Sequence, residues 1–200
     1  LNGQPQAMAQ MGKGLSAGGR LSDEAMSNQT KHALARIGET DQRYLSNNTP
    51  ELALERAELR LQLVVLSHLR QEQLYFLQET IVLLEQARLE YDEIPLQLYL
   101  DLSLTLAKAY MIYFELSKEQ RFALITQQIL KPLAHHEHAD IYFFLAYAAA
   151  AKQQPAFTQH WLGKYLLCPA HDLELLHAHP AFTATRQSDW FKNLMQHKAH

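Results

Sequence analysis

Apolar side chains recur every three or four positions along most of this chain. Leu98, Leu102, Leu106 and Ala109 illustrate the spacing, and comparable runs extend from residue 50 to residue 154. Such a period places the apolar residues on one face of a helix. No segment shows the strict alternation of apolar and polar residues that a half-buried strand requires. The sequence therefore predicts an all-α fold.

Turn and capping residues divide this pattern into separate helices. Thr49 and Pro50 fit the N-cap and the first position of a helix, since threonine caps helices well and proline is accommodated in the first turn. Ser117 and Gln120 fit a capping box, which predicts that another helix begins at Lys118. The helical pattern is thus interrupted at regular intervals by turns.

The C-terminal part of the chain follows the same pattern with more aromatic residues. Side chains four positions apart predict an aromatic core stripe on one helix, made of Phe157, Trp161 and Tyr165. Beyond Pro169 we expect two short helical pieces separated by Pro180. The last piece carries Trp190 and Phe191, and we interpret it as a C-terminal capping helix that covers the final helix pair.

One helical pattern occurs more than once. The segment that begins Leu106-Ala107 recurs 39 residues later at Leu145-Ala146, and a weaker copy begins at Leu66, 40 residues upstream. Prolines at positions 95, 132 and 169 repeat at intervals of 37 residues. Self-similarity over roughly 20 to 50 residues is typical of stacked supersecondary units. A non-repeating helical bundle remains the alternative.

The residues of these repeats resemble those of a divergent tetratricopeptide-repeat (TPR) protein. Leu106-Ala107 with Tyr110 and Pro132 carry the resemblance best, and residues 172–186 resemble the closing tail of such proteins. The resemblance covers roughly residues 52–195. It implies antiparallel helix hairpins stacked as a TPR-like superhelix, with protein binding as the expected function.

The resemblance also implies which side chains would contact a partner. They are those on the inner face of the first helix of each unit, where a mixed surface suits a peptide or a partner helix. The predicted partner-binding residues are His68, Asp101, Lys108, Met111, Asp140, Phe143 and Tyr147. The alternative for the apolar members, and for Leu104, is that they form the core.

Glycine content separates the start of the chain from the rest. Six of the seven glycines lie before residue 39. We therefore expect a partly flexible, glycine-rich leader over residues 1–48, with one short helix capped by Ser22 and ending at Gly38. The TPR-like domain is expected over residues 49–198.

Composition and charge exclude several classes of partner. The net charge of −3 offers no basic surface for nucleic acid. The longest apolar run, residues 141–151, is shorter than the roughly 20 residues that span a membrane. Cys168 is the only cysteine, so no intramolecular disulfide can form.

The compartment is not fixed by the sequence. We favour the cytoplasm, with the periplasm as the alternative if an upstream signal has been removed.

Two motifs are candidates for chemistry, and both lack their expected context. Ser16 lies in a Gly-x-Ser-x-Gly pattern, but no strand precedes it as in a nucleophile elbow. The cluster of His135, His136 and His138 has suitable metal ligands but falls in a predicted turn with no cysteine nearby. We therefore expect no catalytic residue, no bound metal and no cofactor.

The sequence as a whole indicates a non-catalytic scaffold or adaptor that binds another protein or a peptide. One alternative is a structural module that self-associates as a homo-oligomer through the segment around Trp190 and Phe191. The other alternative is an enzyme that uses the glycine-rich leader.

Overall fold

The structure is a computed structural model in which residues 23–199 are described. Within this range it has nine α-helices and no β-strand, which confirms the predicted all-α fold. Short 3₁₀ helices lie at Lys131–His136, Pro180–Phe182 and Thr185–Gln187. The α-helices are α1 (Asp23–Ser46), α2 (Pro50–Leu66), α3 (Arg70–Glu90), α4 (Leu96–Ser117), α5 (Gln120–Leu130), α6 (Ala139–Ala151), α7 (Pro155–Leu167), α8 (Leu173–Ala178) and α9 (Asp189–Ala199).

Helix α1 is longer than the sequence predicts. It continues through Gly38 to Ser46, although a glycine inside a helix costs about 1 kcal/mol relative to alanine. Packing against α2 offsets this cost, because Ala33 and Thr40 of α1 are completely buried. Ser22, the predicted N-cap, lies outside the described residues.

The two predicted helix starts have different outcomes. At α2 the prediction is confirmed: the Thr49 hydroxyl accepts a hydrogen bond from the Leu52 amide at 3.1 Å. The predicted capping box of Ser117 and Gln120 is wrong, because Ser117 still belongs to α4. Lys118 adopts a left-handed conformation with φ of 59°, and the next helix begins only at Gln120.

The described residues fall into two compact units, and the division lies between Ala109 and Tyr110. In the unit that ends at Ala109, α1 packs on α2 and α2 packs on α3. Its core includes the fully buried side chains of Val64, Leu77 and Leu84. The predicted boundary between a leader and a repeat domain at residues 48 and 49 stays a prediction.

An ion-pair network joins α1, α2 and α3 of this unit. Arg60 on α2 is only 6% exposed. Its guanidinium group donates to Asp41 of α1 at 3.1 Å and to Glu79 of α3 at 2.7 Å. Arg56 donates to the same Asp41 carboxylate at 2.8 Å. A buried arginine is thereby compensated by carboxylates from both neighbouring helices.

The unit that begins at Tyr110 is built around α6. This helix packs against α5 and α7, and nearly all of its side chains are buried. Of the predicted aromatic stripe on α7, Trp161 and Tyr165 are buried as expected. Phe157 is instead half exposed and lies 5.4 Å from the Lys131 ammonium group.

The C-terminal segment closes this second unit. Helix α9 packs on α7, and Phe182 is completely buried against the ring of Phe143 at 5.8 Å. The Arg186 guanidinium group donates to the carbonyls of Leu176 at 3.0 Å and His179 at 2.8 Å. One side chain thus fixes the turn between α8 and α9. Packing of sequence-adjacent helices in both units is compatible with a helical repeat fold.

Candidate protein-binding surfaces

Three of the predicted partner-binding residues lie in the core. Met111 and Phe143 have no exposed surface, and Tyr147 is almost completely buried. The ring of Phe143 lies within 6 Å of the rings of Phe144 and Tyr165. In this structure their side chains therefore stabilise helix packing rather than face solvent, as does that of Leu104.

Tyr147 belongs to a buried polar group in the same unit. Its hydroxyl donates to the Glu115 carboxylate at 2.6 Å, and its ring lies 4.7 Å from that of His179. Burial, reinforced by the neighbouring Glu115 charge, raises the pKa of Tyr147 well above its usual value. The phenol therefore stays protonated and acts as a permanent hydrogen-bond donor.

His179 lies at the centre of this group as a neutral ring. Its Nδ1 atom accepts a hydrogen bond from the Ala181 amide at 3.1 Å. Burial lowers the pKa of His179 to about 4; the Glu115 charge opposes this shift and the Arg186 charge adds to it. Aromatic rings enclose His179, and these contacts hold the C-terminal segment in place.

Asp140 and the histidine cluster have a local structural arrangement. The His138 Nδ1 atom accepts from the Asp140 amide at 3.1 Å and so caps α6, while the Asp140 carboxylate in the first turn complements the helix dipole. The rings of His135 and His136 lie 3.9 Å apart. Across residues 23–199, no three histidine, cysteine or acidic side chains are grouped closely enough to hold a metal ion. Ser16 lies outside this range.

Asp101 and Lys108 lie in the first unit and are nearly buried. The charges of both residues act on the pKa of Glu58 in α2, a residue that the sequence analysis did not single out. Burial raises the pKa of Glu58; the Lys108 charge opposes this shift and the Asp101 charge adds to it. Among the described residues, the buried Oε1 atom of Glu58 has no hydrogen-bond partner. We call these three residues the charged cluster.

Glu58 could have been found from the sequence. It lies four residues after Leu54 and three before Leu61, both of which are buried on the apolar face of α2. A carboxylate buried at such a position needs a positive charge or a hydrogen-bond donor beside it, because its burial otherwise costs free energy. Gln97 donates to the Asp101 carboxylate at 3.1 Å, so the neighbouring acid has at least one polar partner.

His68 lies at an open groove of about 620 Å³ in the same unit. The groove runs between α1 and the turn that joins α2 to α3. Three of its lining residues are large, apolar and exposed: Leu34 by 49%, Leu69 by 61% and Tyr75 by 57%. Among the described residues that line the groove, Glu72 is the only acidic one. We call this feature the His68 groove.

The aromatic C-terminal segment does not present both of its predicted contact residues. Phe191 is buried and Trp190 is half buried. Self-association through this segment stays a prediction.

Comparison with protein-family models, with curated proteins and with solved structures finds no significant match to this chain. None of the helices formed by residues 23–199 is both long enough and apolar enough to cross a membrane.

Proposed function

We propose that the protein is a divergent TPR-like, non-catalytic scaffold that binds a peptide or a helix of another protein. Packing of sequence-adjacent helices and the repeated Leu-Ala segments support this proposal. Repeat stacks of this kind act through an extended surface rather than through a reactive centre.

The His68 groove is the observation that carries the proposal. Its volume lies within the roughly 300 to 1,000 Å³ that is typical of ligand sites. Large apolar side chains that remain exposed around such a groove favour the burial of a partner's apolar anchors. His68 and Glu72 supply polar groups at the groove that can orient the partner.

The charged cluster is the second surface that the proposal concerns. Asp101 and Lys108 were expected to contact a partner, and each exposes a small part of its side chain. Charge at such a site contributes to specificity more than to affinity. We expect the groove to dominate the free energy of binding.

A peptide library displayed on phage and selected against the full chain tests the proposal. We expect the selected peptides to bind about tenfold or more weakly to Leu34→Glu and Leu69→Glu, because each variant places a charge at an apolar contact. Leu167→Glu is the matched control, since Leu167 is exposed on α7, outside the groove.

Charge reversal separates the two surfaces. Asp101 and Lys108 are nearly buried, so circular dichroism first checks that each charge-reversed variant is folded. Peptides that lose affinity only for folded Asp101→Lys or Lys108→Glu would assign binding to the charged cluster instead of the groove. Peptides that bind every variant equally, or a library that yields no peptide at all, would contradict the proposed function.

A further inference from the structure

Helix α3 exposes apolar side chains at intervals of seven residues. Tyr75, Val82 and Leu89 are 57%, 54% and 81% exposed. On the opposite side of the same helix, Leu77 and Leu84 are completely buried. The helix is therefore apolar on two sides, and one of them faces solvent.

The seven-residue interval indicates the shape of the partner. Residues seven apart are separated by nearly two full turns, so the three side chains lie almost in line over about 21 Å of helix. A partner helix can follow such a line, because two helices at a shallow crossing angle repeat their contacts every seven residues. We call these three residues the α3 stripe.

The charges of α3 indicate the sign of the charge that a partner should carry. The helix carries more acidic than basic residues, namely Glu72, Glu79, Glu85 and Glu90 against Arg70 and Arg88. Arg88 is directed towards α4, where it donates to the hydroxyls of Ser103 and Tyr99, each at 3.1 Å. Glu79 is already paired with Arg60, so the exposed charges of α3 are the carboxylates of Glu72 and Glu90 and the guanidinium group of Arg70. Two carboxylates against one guanidinium group leave the solvent side of α3 acidic, which disfavours contact with a second copy of itself.

We propose that the α3 stripe binds a basic amphipathic helix of a partner protein. The apolar side chains of the partner helix pack on Tyr75, Val82 and Leu89, and the lysine or arginine side chains of the partner lie beside the exposed Glu72 and Glu90. The stripe is continuous with the His68 groove, because Tyr75 belongs to both. The inference rests on the proposed scaffold function and specifies the class of partner.

A designed peptide serves as the probe. It is a helix of about three heptads with leucine at the a and d positions and lysine at the flanking positions, and a matched peptide carries glutamate in place of lysine. Fluorescence anisotropy measures binding to the full chain. We expect the lysine peptide to bind and the glutamate peptide to bind about tenfold or more weakly.

Variants of the stripe locate the contact. Val82→Glu and Leu89→Glu should weaken binding of the lysine peptide about tenfold or more, while Leu167→Glu should leave it unchanged. Circular dichroism and thermal unfolding check that each variant is folded. Val82→Ala and Leu89→Ala provide milder changes at the same positions if a charged variant does not fold.

Three results would overturn this inference. They are equal binding of the two peptides, equal loss with Leu167→Glu, and a homodimer in sedimentation experiments that Val82→Glu dissociates. Library peptides that depend on Leu34 and Leu69 would still support the scaffold function if the lysine peptide did not bind. The two proposals can therefore fail separately.

Discussion

His179 has an unusual environment for a titratable side chain. Its Nδ1 atom is committed as an acceptor to the Ala181 amide, and the rings of Tyr147 and Phe182 lie against it. Protonation would place a second donor at Nδ1 and a charge in an apolar surrounding. The fold therefore depends on the neutral ring.

The protein should lose stability in mild acid because of His179. The unfolded chain protonates this histidine below its ordinary pKa of 6.5, whereas burial keeps the folded state neutral down to about pH 4. The free energy of unfolding should therefore fall as the pH is lowered across that range, by about 3 kcal/mol in all. Urea unfolding at pH 7, 5.5 and 4.5 measures the decrease.

His179→Asn tests the assignment, since asparagine retains an acceptor for the Ala181 amide but does not titrate. The variant should be less stable than the wild type at pH 7 and should show a flatter pH dependence. Replacement of the exposed His197 by asparagine is the matched control. An unchanged slope in His179→Asn would show that other groups cause the acid sensitivity.

At the scale of elements, Arg60 connects α1, α2 and α3 through Asp41 and Glu79. Arg60→Ala should lower the free energy of unfolding by about 2 kcal/mol, because it leaves Glu79 without its counter-ion, whereas Asp41 retains its ion pair with Arg56. Asp41 and Glu79 are partly exposed, so hydration limits the cost. Urea unfolding at pH 7 measures it.

The exposed ion pair between Arg121 and Glu119 is the matched control, with an N–O distance of 2.7 Å. Arg121→Ala should change the free energy of unfolding by less than about 1 kcal/mol. Equal effects of the two replacements would mean that the network of Arg60 is no stronger than a surface pair.

The helices could be predicted from the sequence because apolar periodicity is a local signal. Thr49 and Pro50 also gave the correct start of α2, since a cap depends only on neighbouring backbone groups. Ser117 and Gln120 fit the same kind of rule, but α4 continues through Ser117, and Lys118 is left-handed before the next helix begins at Gln120. Ser117 is therefore still helical and does not cap the next helix.

Candidate contact residues were harder to predict, because exposure depends on where neighbouring helices lie. Residues 141–151 are apolar all round, so periodicity could not show that Phe143 faces the core. Val82 and Leu89 are as hydrophobic as their buried neighbours, and only the structure shows that they face solvent. His68 was selected by a family pattern, and it lies at the groove because a turn follows α2.

For the whole molecule, the sign of the net charge sets how binding should respond to salt. The chain carries a net charge of −3, and α3 is itself acidic. The affinity of the lysine peptide should therefore fall several-fold between low and physiological salt, because salt screens the attraction between the peptide and these charges. Anisotropy titrations over a series of sodium chloride concentrations measure the change.

Affinity that does not vary with salt would indicate that apolar contacts alone hold the peptide. A leucine-rich peptide without lysine should then bind equally well, which makes it the control.

The hydrogen bonds of Arg186 have a practical consequence for work with this protein. Shortened versions that stop before this residue would lose the hydrogen bonds to the Leu176 and His179 carbonyls. Phe182 would then no longer be held against Phe143. The uncovered aromatic rings would then promote aggregation. Deletion series and fusion designs should keep the chain intact through Arg186.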